Sequence, residues 1–143
     1  MSERFAYPAK LTPDEDGFMI TLPDIPSVIT WGQDRAEALE MGADALTLIF
    51  ADRIRRREPI PVPSPARGRP LVRPSAMVAA KAALHVALLE SGIGPTAFAR
   101  KLGIDPKDLR RLLDPYHQSR LDGIEAALAV LGRALEIRAV RAA

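Results

Sequence analysis

The sequence contains no cysteine and only two histidines. Without thiols the chain can form neither disulfide bonds nor thiolate metal sites, which favours a reducing compartment. His85 and His117 do not have the HxxxH or HExxH spacing of a zinc site, so we expect no metal ion. No GxxxxGK or GxGxxG motif occurs either, so no nucleotide cofactor is expected.

Long apolar runs are also missing. The best candidate for a membrane span, residues 76–89, is interrupted by Lys81 and His85. The first residues lack the apolar core of a signal peptide. We therefore expect a cytoplasmic protein that has no contact with a membrane.

The charged residues that are present are unevenly placed. Residues 1–52 contain three basic and ten acidic residues, whereas residues 71–143 contain eleven basic and seven acidic residues. Such asymmetry predicts two parts with different partners. The acidic part suits a cationic protein, and the basic part suits nucleic acid.

The N-terminal part reads as an α+β domain. Alternating apolar residues predict three strands and a long helix that starts after Asp34, and Leu71–Val72 would add a short fourth strand. The predicted strands cover residues 5–11, Phe18–Leu22 and residues 28–31. Pro8 cannot donate to a ladder, so the first strand should lie at an edge or contain a bulge. The helix would place its apolar stripe on the sheet, with Gly42 at a close approach.

The middle of the chain is rich in proline. Six of the thirteen prolines fall at positions 59, 61, 63, 65, 70 and 74, which predicts a stiff, extended segment. We therefore divide the sequence into an α+β domain (1–66), a linker with a short strand (67–74) and an all-α domain (75–143).

The all-α domain centres on a predicted helix-turn-helix. Its helices would be Pro95–Leu102 and Pro106–Leu113, with the small Ala99 at their crossing and Gly103 in a turn that needs φ > 0. A helix with a cationic outer face fits the DNA major groove. The alternative is an ordinary helical hairpin with a solvated basic face.

Elements on either side complete this domain. A helix should run from Ser75 to about Ser91, and Ser119 and Asp122 predict a capping pair for the last helix. Residues 135–140 alternate like a strand, which would need a partner strand from a second chain or from the first domain.

Nine residues are candidates for DNA contact. Lys107, Arg110 and Arg111 would enter the major groove, Thr96, Arg100 and Lys101 would hold phosphates, and His117, Gln118 and Arg120 would reach the DNA backbone. Three acids, Asp105, Asp108 and Asp114, oppose this reading because they repel phosphate. Asp108 could instead pair with a neighbouring arginine along the helix.

The sequence also resembles a known family. Residues 5–46 resemble the N-terminal half of HicB-type antitoxins, and residues 110–132 resemble the C-terminal half of the subfamily that carries a Cro-like helix-turn-helix. The marks of the first half are the Tyr7-Pro8 strand, the acidic-glycine hairpin, Leu22-Pro23-Asp24-Ile25-Pro26, Thr30-x-Gly32 and Glu37-Ala38-Leu39.

This resemblance implies two functions. The N-terminal half would be a partial ribonuclease-H-like fold that blocks a small basic HicA-type messenger-RNA interferase. The C-terminal half would bind the promoter of the operon as a dimer. The acids Asp14, Glu15, Asp16 and Asp24 could then contact the toxin, although residue chemistry alone favours ordinary turn residues. We expect Phe18 and Trp31 to be core residues.

Two other functions are considered, a nuclease and a transcription regulator. A ribonuclease-H-like fold invites a two-metal nuclease, but Asp14, Glu15 and Asp16 crowd one turn and the strands carry no inward carboxylates, so we expect no enzyme. The second rival is a stand-alone transcription regulator with an N-terminal sensing or dimerisation domain. An adjacent gene for a small basic protein would favour the antitoxin.

Overall fold

A computed structural model describes residues 4–142 and shows two compact units. The N-terminal unit comprises the chain up to Phe50 together with Pro61–Ser75, and the C-terminal unit comprises Ala51–Ile60 together with Ala76–Ala142. The described elements are β1 (Tyr7–Pro8), β2 (Lys10–Pro13), β3 (Phe18–Leu22), β4 (Ile25–Gly32), α1 (Arg35–Arg55), β5 (Leu71–Val72), α2 (Ala76–Ser91), α3 (Pro95–Leu102), α4 (Pro106–Leu113) and α5 (Leu121–Val130). A small α+β part is thus followed by several helices.

The N-terminal unit is built on an antiparallel sheet with the strand order β2-β3-β4. The β2–β3 hairpin closes where the Asp14 N–H donates to the Gly17 carbonyl at 2.9 Å. Strand β4 begins at Ile25, earlier than predicted, because a tight turn lets Ile25 pair with Leu22.

The first predicted strand is divided in two. Strand β1 pairs with β5 in a separate two-stranded sheet, with Tyr7 opposite Val72, while β2 joins β3. The division falls at Ala9, whose N–H donates to the Pro70 carbonyl at 2.9 Å. The predicted fourth strand therefore exists, but it does not extend the three-stranded sheet.

Helix α1 packs against the buried face of this sheet. Asp34 Oδ1 accepts the Glu37 N–H at 2.8 Å, and Glu37 Oε1 accepts the Gln33 N–H at 3.2 Å, so both acids cap the helix that was predicted to start after Asp34. A Cβ atom on Gly42 would lie 2.9 Å from Ile20 Cδ1. The glycine therefore allows the close approach that the sequence predicted.

The C-terminal unit has a core formed by all four of its complete helices. Its fully buried centre includes Leu84 of α2, Phe98 of α3, Leu109 of α4 and Ile124 of α5. Helices α3 and α4 have the predicted bounds. Gly103 between them has φ = 69°, in the left-handed region that favours glycine.

Residues 133–142 form neither helix nor strand in the described chain. The predicted tail strand is therefore not confirmed, since a strand needs a partner for its ladder. No single helix among residues 4–142 is long and apolar enough to cross a membrane. Helices α2 and α3 reach that length and composition only as a pair bent by 109°, and their apolar residues lie in the core described above.

Candidate functional site

All nine predicted DNA-contacting residues are exposed on the C-terminal unit. In α4, Leu109 faces the core, whereas Lys107, Arg110 and Arg111 point away from it. Thr96, Arg100 and Lys101 lie on the exposed side of α3, and His117, Gln118 and Arg120 lie in the segment between α4 and α5. The fold therefore presents a cationic helix surface of the kind that the major groove accepts.

The three acids that seemed to oppose DNA binding each have a structural role. Asp105 is the N-cap of α4, and its Oδ1 accepts the Lys107 N–H at 2.8 Å. Asp108 forms an ion pair with Arg111 across 3.8 Å. Asp114 Oδ1 accepts the Tyr116 N–H at 2.9 Å and fixes the turn after the helix. These acids therefore shape α4 and its flanks.

A buried lysine, which was not predicted from the sequence, holds the end of α4. Lys81 of α2 is only 1% exposed. Its Nζ donates to the carbonyls of Arg111 and Leu112 at 3.0 and 2.7 Å and to Ser119 Oγ at 2.6 Å. The final carbonyls of a helix lack partners within the helix, so this ammonium group satisfies them and complements the helix dipole.

The protonation of Lys81 is sensitive to its surroundings. Burial lowers its pKa from 10.5 to about 8, and the nearby Asp114 carboxylate opposes part of that fall. At neutral pH the group is still an ammonium ion and can donate all three hydrogen bonds. The only sequence signal was a lysine that interrupts an apolar helix, which does not reveal what the lysine contacts.

This lysine also explains an error in the predicted caps. Ser119 does not cap α5, because its hydroxyl accepts from Lys81, and the N-cap residue is Arg120, which makes no side-chain capping hydrogen bond. His117 Nδ1 lies 3.4 Å from the same hydroxyl. The segment between α4 and α5 is thus tied to α2 through Ser119.

Of the four acids predicted to contact the toxin, two accept hydrogen bonds within the described part of the N-terminal unit and two do not. Asp14 Oδ1 accepts the Asp16 and Gly17 N–H groups at 2.9 and 2.8 Å, and Asp24 accepts the Ser64 N–H and hydroxyl at 2.8 and 2.6 Å. Both of these carboxylates therefore stabilise turns or the proline-rich segment. The side chains of Glu15 and Asp16 are exposed and have no hydrogen-bond or ion-pair partner in the described chain.

Two aromatic residues of this hairpin region were predicted to be core residues. Phe18 lies on the same face of β3 as the buried Ile20, whereas for Trp31 the prediction is wrong. Phe18 is half-buried and Trp31 is 39% exposed. The Trp31 Nε1–H donates to Asp14 Oδ2 at 3.1 Å, so the indole lies beside the acidic hairpin. The sequence predicted a strand at residues 28–31, but it did not show which face of the sheet is open.

The two units differ in net charge as the sequence predicted, but the N-terminal unit is less acidic than residues 1–52 alone. The N-terminal unit has nine acidic and six basic residues, a net charge of −3, because the proline-rich segment adds three arginines. The C-terminal unit has fourteen basic and nine acidic residues, a net charge of +5. Among the described residues, no group of three or more His, Asp or Glu side chains could hold a metal ion.

Comparison with known proteins matches this arrangement to one family. Residues 6–89 match the profile of the HicB-like antitoxins of bacterial toxin–antitoxin systems. The chain is 37% identical over 140 residues to Antitoxin HicB 2 of Photorhabdus laumondii, covering 98% of this chain and 100% of that protein. It is 35% identical over 133 residues to Antitoxin HicB of Escherichia coli K12, covering 92% of this chain and 96% of that protein. The chain therefore belongs to the HicB-like antitoxin family.

Proposed function

We propose that this chain neutralises a small basic HicA-type messenger-RNA interferase and represses its own operon by binding promoter DNA as a dimer. The observation that carries this proposal is the family membership over nearly the whole chain, together with an acidic N-terminal unit and a basic helical unit. In this proposal the N-terminal unit is a partial ribonuclease-H-like fold without catalytic activity, and the protein acts in the cytoplasm.

The proposed DNA-binding element is the pair α3–α4, acting as a Cro-like helix-turn-helix. Lys107, Arg110 and Arg111 would contact base edges, because arginine or lysine with guanine is the commonest specific contact. Thr96, Arg100, Lys101, His117, Gln118 and Arg120 would contact the DNA backbone and set the register. Lys81 supports this role by fixing the end of α4 from which Arg110 and Arg111 project.

The dimer would place two such helices on an inverted repeat, with half-sites about one helical turn apart. The exposed tail supports a contact between chains, since Ile137 and Val140 are 70% and 44% exposed. Pairing of residues 135–140 with the same segment of a second chain would supply the missing partner strand.

A gel-shift assay with the promoter fragment tests the DNA-binding part. The double variant Arg110→Ala/Arg111→Ala should weaken binding by at least about 30-fold, because a good bidentate contact contributes about 1–3 kcal/mol. The matched control is Arg67→Ala/Arg69→Ala, which removes the same charge from exposed positions of the N-terminal unit. Equal affinities for the two double variants would refute the assignment.

Co-purification tests the toxin-binding part. The product of the adjacent gene should be toxic when expressed alone and should co-purify with this chain when the two are expressed together. If that product neither binds nor is toxic, the alternative of a stand-alone transcription regulator replaces the antitoxin proposal.

A further inference from the structure

The three-stranded sheet has one face on helix α1 and one face open to solvent. Strand register places six side chains on the open face, in two rows that cross all three strands. The first row contains Thr12, Met19 and Trp31, and the second contains Lys10, Thr21 and Ile29. The opposite face carries the buried Ile20, which contacts α1 at Gly42.

Three of the six side chains on the open face are apolar, although a solvated face favours polar residues. Antiparallel sheets with one solvated face normally alternate apolar residues inward with polar residues outward. Here Met19, Ile29 and Trp31 are 38%, 66% and 39% exposed. Met19 and Trp31 are direct cross-strand neighbours, so they form one continuous patch. Contiguous exposed apolar residues with a polar rim are typical of protein-interaction surfaces.

The tryptophan in this patch is held in place by the acidic hairpin. Asp14 accepts its indole N–H at 3.1 Å, and a Cβ atom on Gly17 would lie 2.8 Å from the indole ring. The hairpin backbone therefore packs closely against Trp31. A pre-positioned tryptophan loses little side-chain entropy on binding, which suits the centre of an interface.

Charge defines which partner fits this surface. Glu15 and Asp16, at the tip of the hairpin that holds Trp31, have exposed carboxylates without partners in the described chain. Together with Asp14 they outnumber Lys10, which is the one cation among the six residues of the open face. An apolar centre beside two available carboxylates matches a cationic protein with its own apolar patch. A second copy of this chain fits less well, because two N-terminal units of net charge −3 would then repel each other.

We propose that the open face centred on Met19, Ile29 and Trp31, with the Glu15–Asp16 tip as its acidic rim, is the surface that binds the cationic toxin. This inference rests on the proposed antitoxin function and names the surface that performs it. The apolar centre supplies most of the affinity, and the acidic rim steers the toxin and orients it.

Trp31 provides a direct probe because it is the only tryptophan in the chain. Incorporation of 5-fluorotryptophan into this protein alone gives a single ¹⁹F resonance, which can be followed while unlabelled product of the adjacent gene is added. Docking on the open face should shift and broaden this resonance in proportion to complex formation, which is measured in parallel by calorimetry.

A substitution with a matched control gives a second test. Ile29→Lys should raise the dissociation constant of the toxin complex by at least about 30-fold, as expected for a central interface residue. Leu48→Lys is the control, because Leu48 is 63% exposed on α1 of the same unit and the change in size and charge is identical. Leu48→Lys should change the dissociation constant of the complex by less than about threefold. Both variants should have a melting temperature close to that of the wild type.

The outcomes separate this inference from the proposed function. If the complex forms but the ¹⁹F resonance does not move, or if Ile29→Lys binds like Leu48→Lys, the surface is wrong while the antitoxin function stands. If Ile29→Lys dissociates a homo-oligomer in the absence of the other protein, the face belongs to a second copy. If no complex forms with the wild type, both the surface and the antitoxin function are refuted.

Discussion

Replacing the buried lysine of α2 should change how the stability of the protein depends on pH. Lys81 is 1% exposed and donates three hydrogen bonds that join α2 to the end of α4 and to Ser119. Lys81→Met keeps an unbranched apolar chain but removes the titrating ammonium group. The difference in unfolding free energy between wild type and variant therefore isolates this one group.

The sign of the effect follows from the direction of the pKa shift. The pKa of Lys81 is lowered from 10.5 to about 8 in the folded protein, chiefly because the charged form is desolvated. Between these two values the unfolded chain still holds the proton, whereas the folded protein has released it. Unfolding then takes up a proton, so raising the pH stabilises the folded state.

The magnitude can be estimated from the same shift. A pKa lowered from 10.5 to about 8 corresponds to about 3 kcal/mol over the whole range, of which about 2 kcal/mol falls between about pH 7 and about pH 9.5. The unfolding free energy of the wild type should therefore rise by about 2 kcal/mol relative to Lys81→Met across this interval.

Urea denaturation followed by far-ultraviolet circular dichroism measures this difference. The control is Lys101→Met, which removes an exposed lysine of α3 in the same unit. It should leave the pH dependence of unfolding as in the wild type. If the difference between wild type and Lys81→Met stays constant from about pH 7 to about pH 9.5, or falls, Lys81 is not the buried ammonium described above.

Three further substitutions test the local structure. Gly32→Ala should destabilise the N-terminal unit by more than about 3 kcal/mol in thermal melts, because the new Cβ atom would overlap the backbone of α1. Asp105→Ala should lower the unfolding free energy by about 1 kcal/mol, since it removes the N-cap of α4. Asp24→Ala should cost about 1–2 kcal/mol through its two lost hydrogen bonds to Ser64, but should leave toxin affinity within about threefold.

Each of these predictions has a contrasting result. Gly123→Ala is the control for the first, because its Cβ atom would meet only a leucine methyl group at 3.7 Å, and it should stabilise α5 by about 0.5–1 kcal/mol. Asp122→Ala is the control for the second, because its ion pair is solvent-exposed and should contribute less than about 1 kcal/mol. Loss of toxin binding by a stably folded Asp24→Ala protein would contradict the structural role of Asp24.

The helices around the turn could be predicted because their signals are local. Pro95 and Pro106 stand at the first positions of α3 and α4, and Gly103 supplies the left-handed residue between the two helices. The same holds for α1, where Asp34 and Glu37 form their cap within four residues. Such boundaries depend on neighbours along the chain, which the sequence displays directly.

Features that depend on distant residues could not be predicted. The pairing of β1 with β5 joins Tyr7 to Val72, and nothing in either segment specifies the other. Lys81 looked like a break in an apolar helix, since its acceptors lie about thirty residues away. Strand alternation predicted β3, but it did not show that Met19 pairs with Trp31 or that the face they share is open.

The candidate sites show the same difference between features set by neighbours along the chain and features set by distant residues. The charge of the exposed α4 surface follows from helical periodicity, so its basic residues could be proposed from the sequence as DNA contacts. The roles of the acids could not be predicted, because Asp14 and Asp24 accept internal hydrogen bonds that only the fold reveals. The structure therefore moves the proposed toxin surface from Asp24 towards Glu15, Asp16 and the open face beside them.

The central claim, that this chain neutralises the toxin encoded beside it, is tested most directly by inhibition of RNA cleavage. The purified product of the adjacent gene should degrade messenger RNA in vitro, and adding this chain should abolish cleavage near equimolar concentration. Ile29→Lys should require a large excess for the same inhibition, whereas Leu48→Lys should act like the wild type. Cleavage that continues at full rate in the presence of excess wild-type protein would contradict the account.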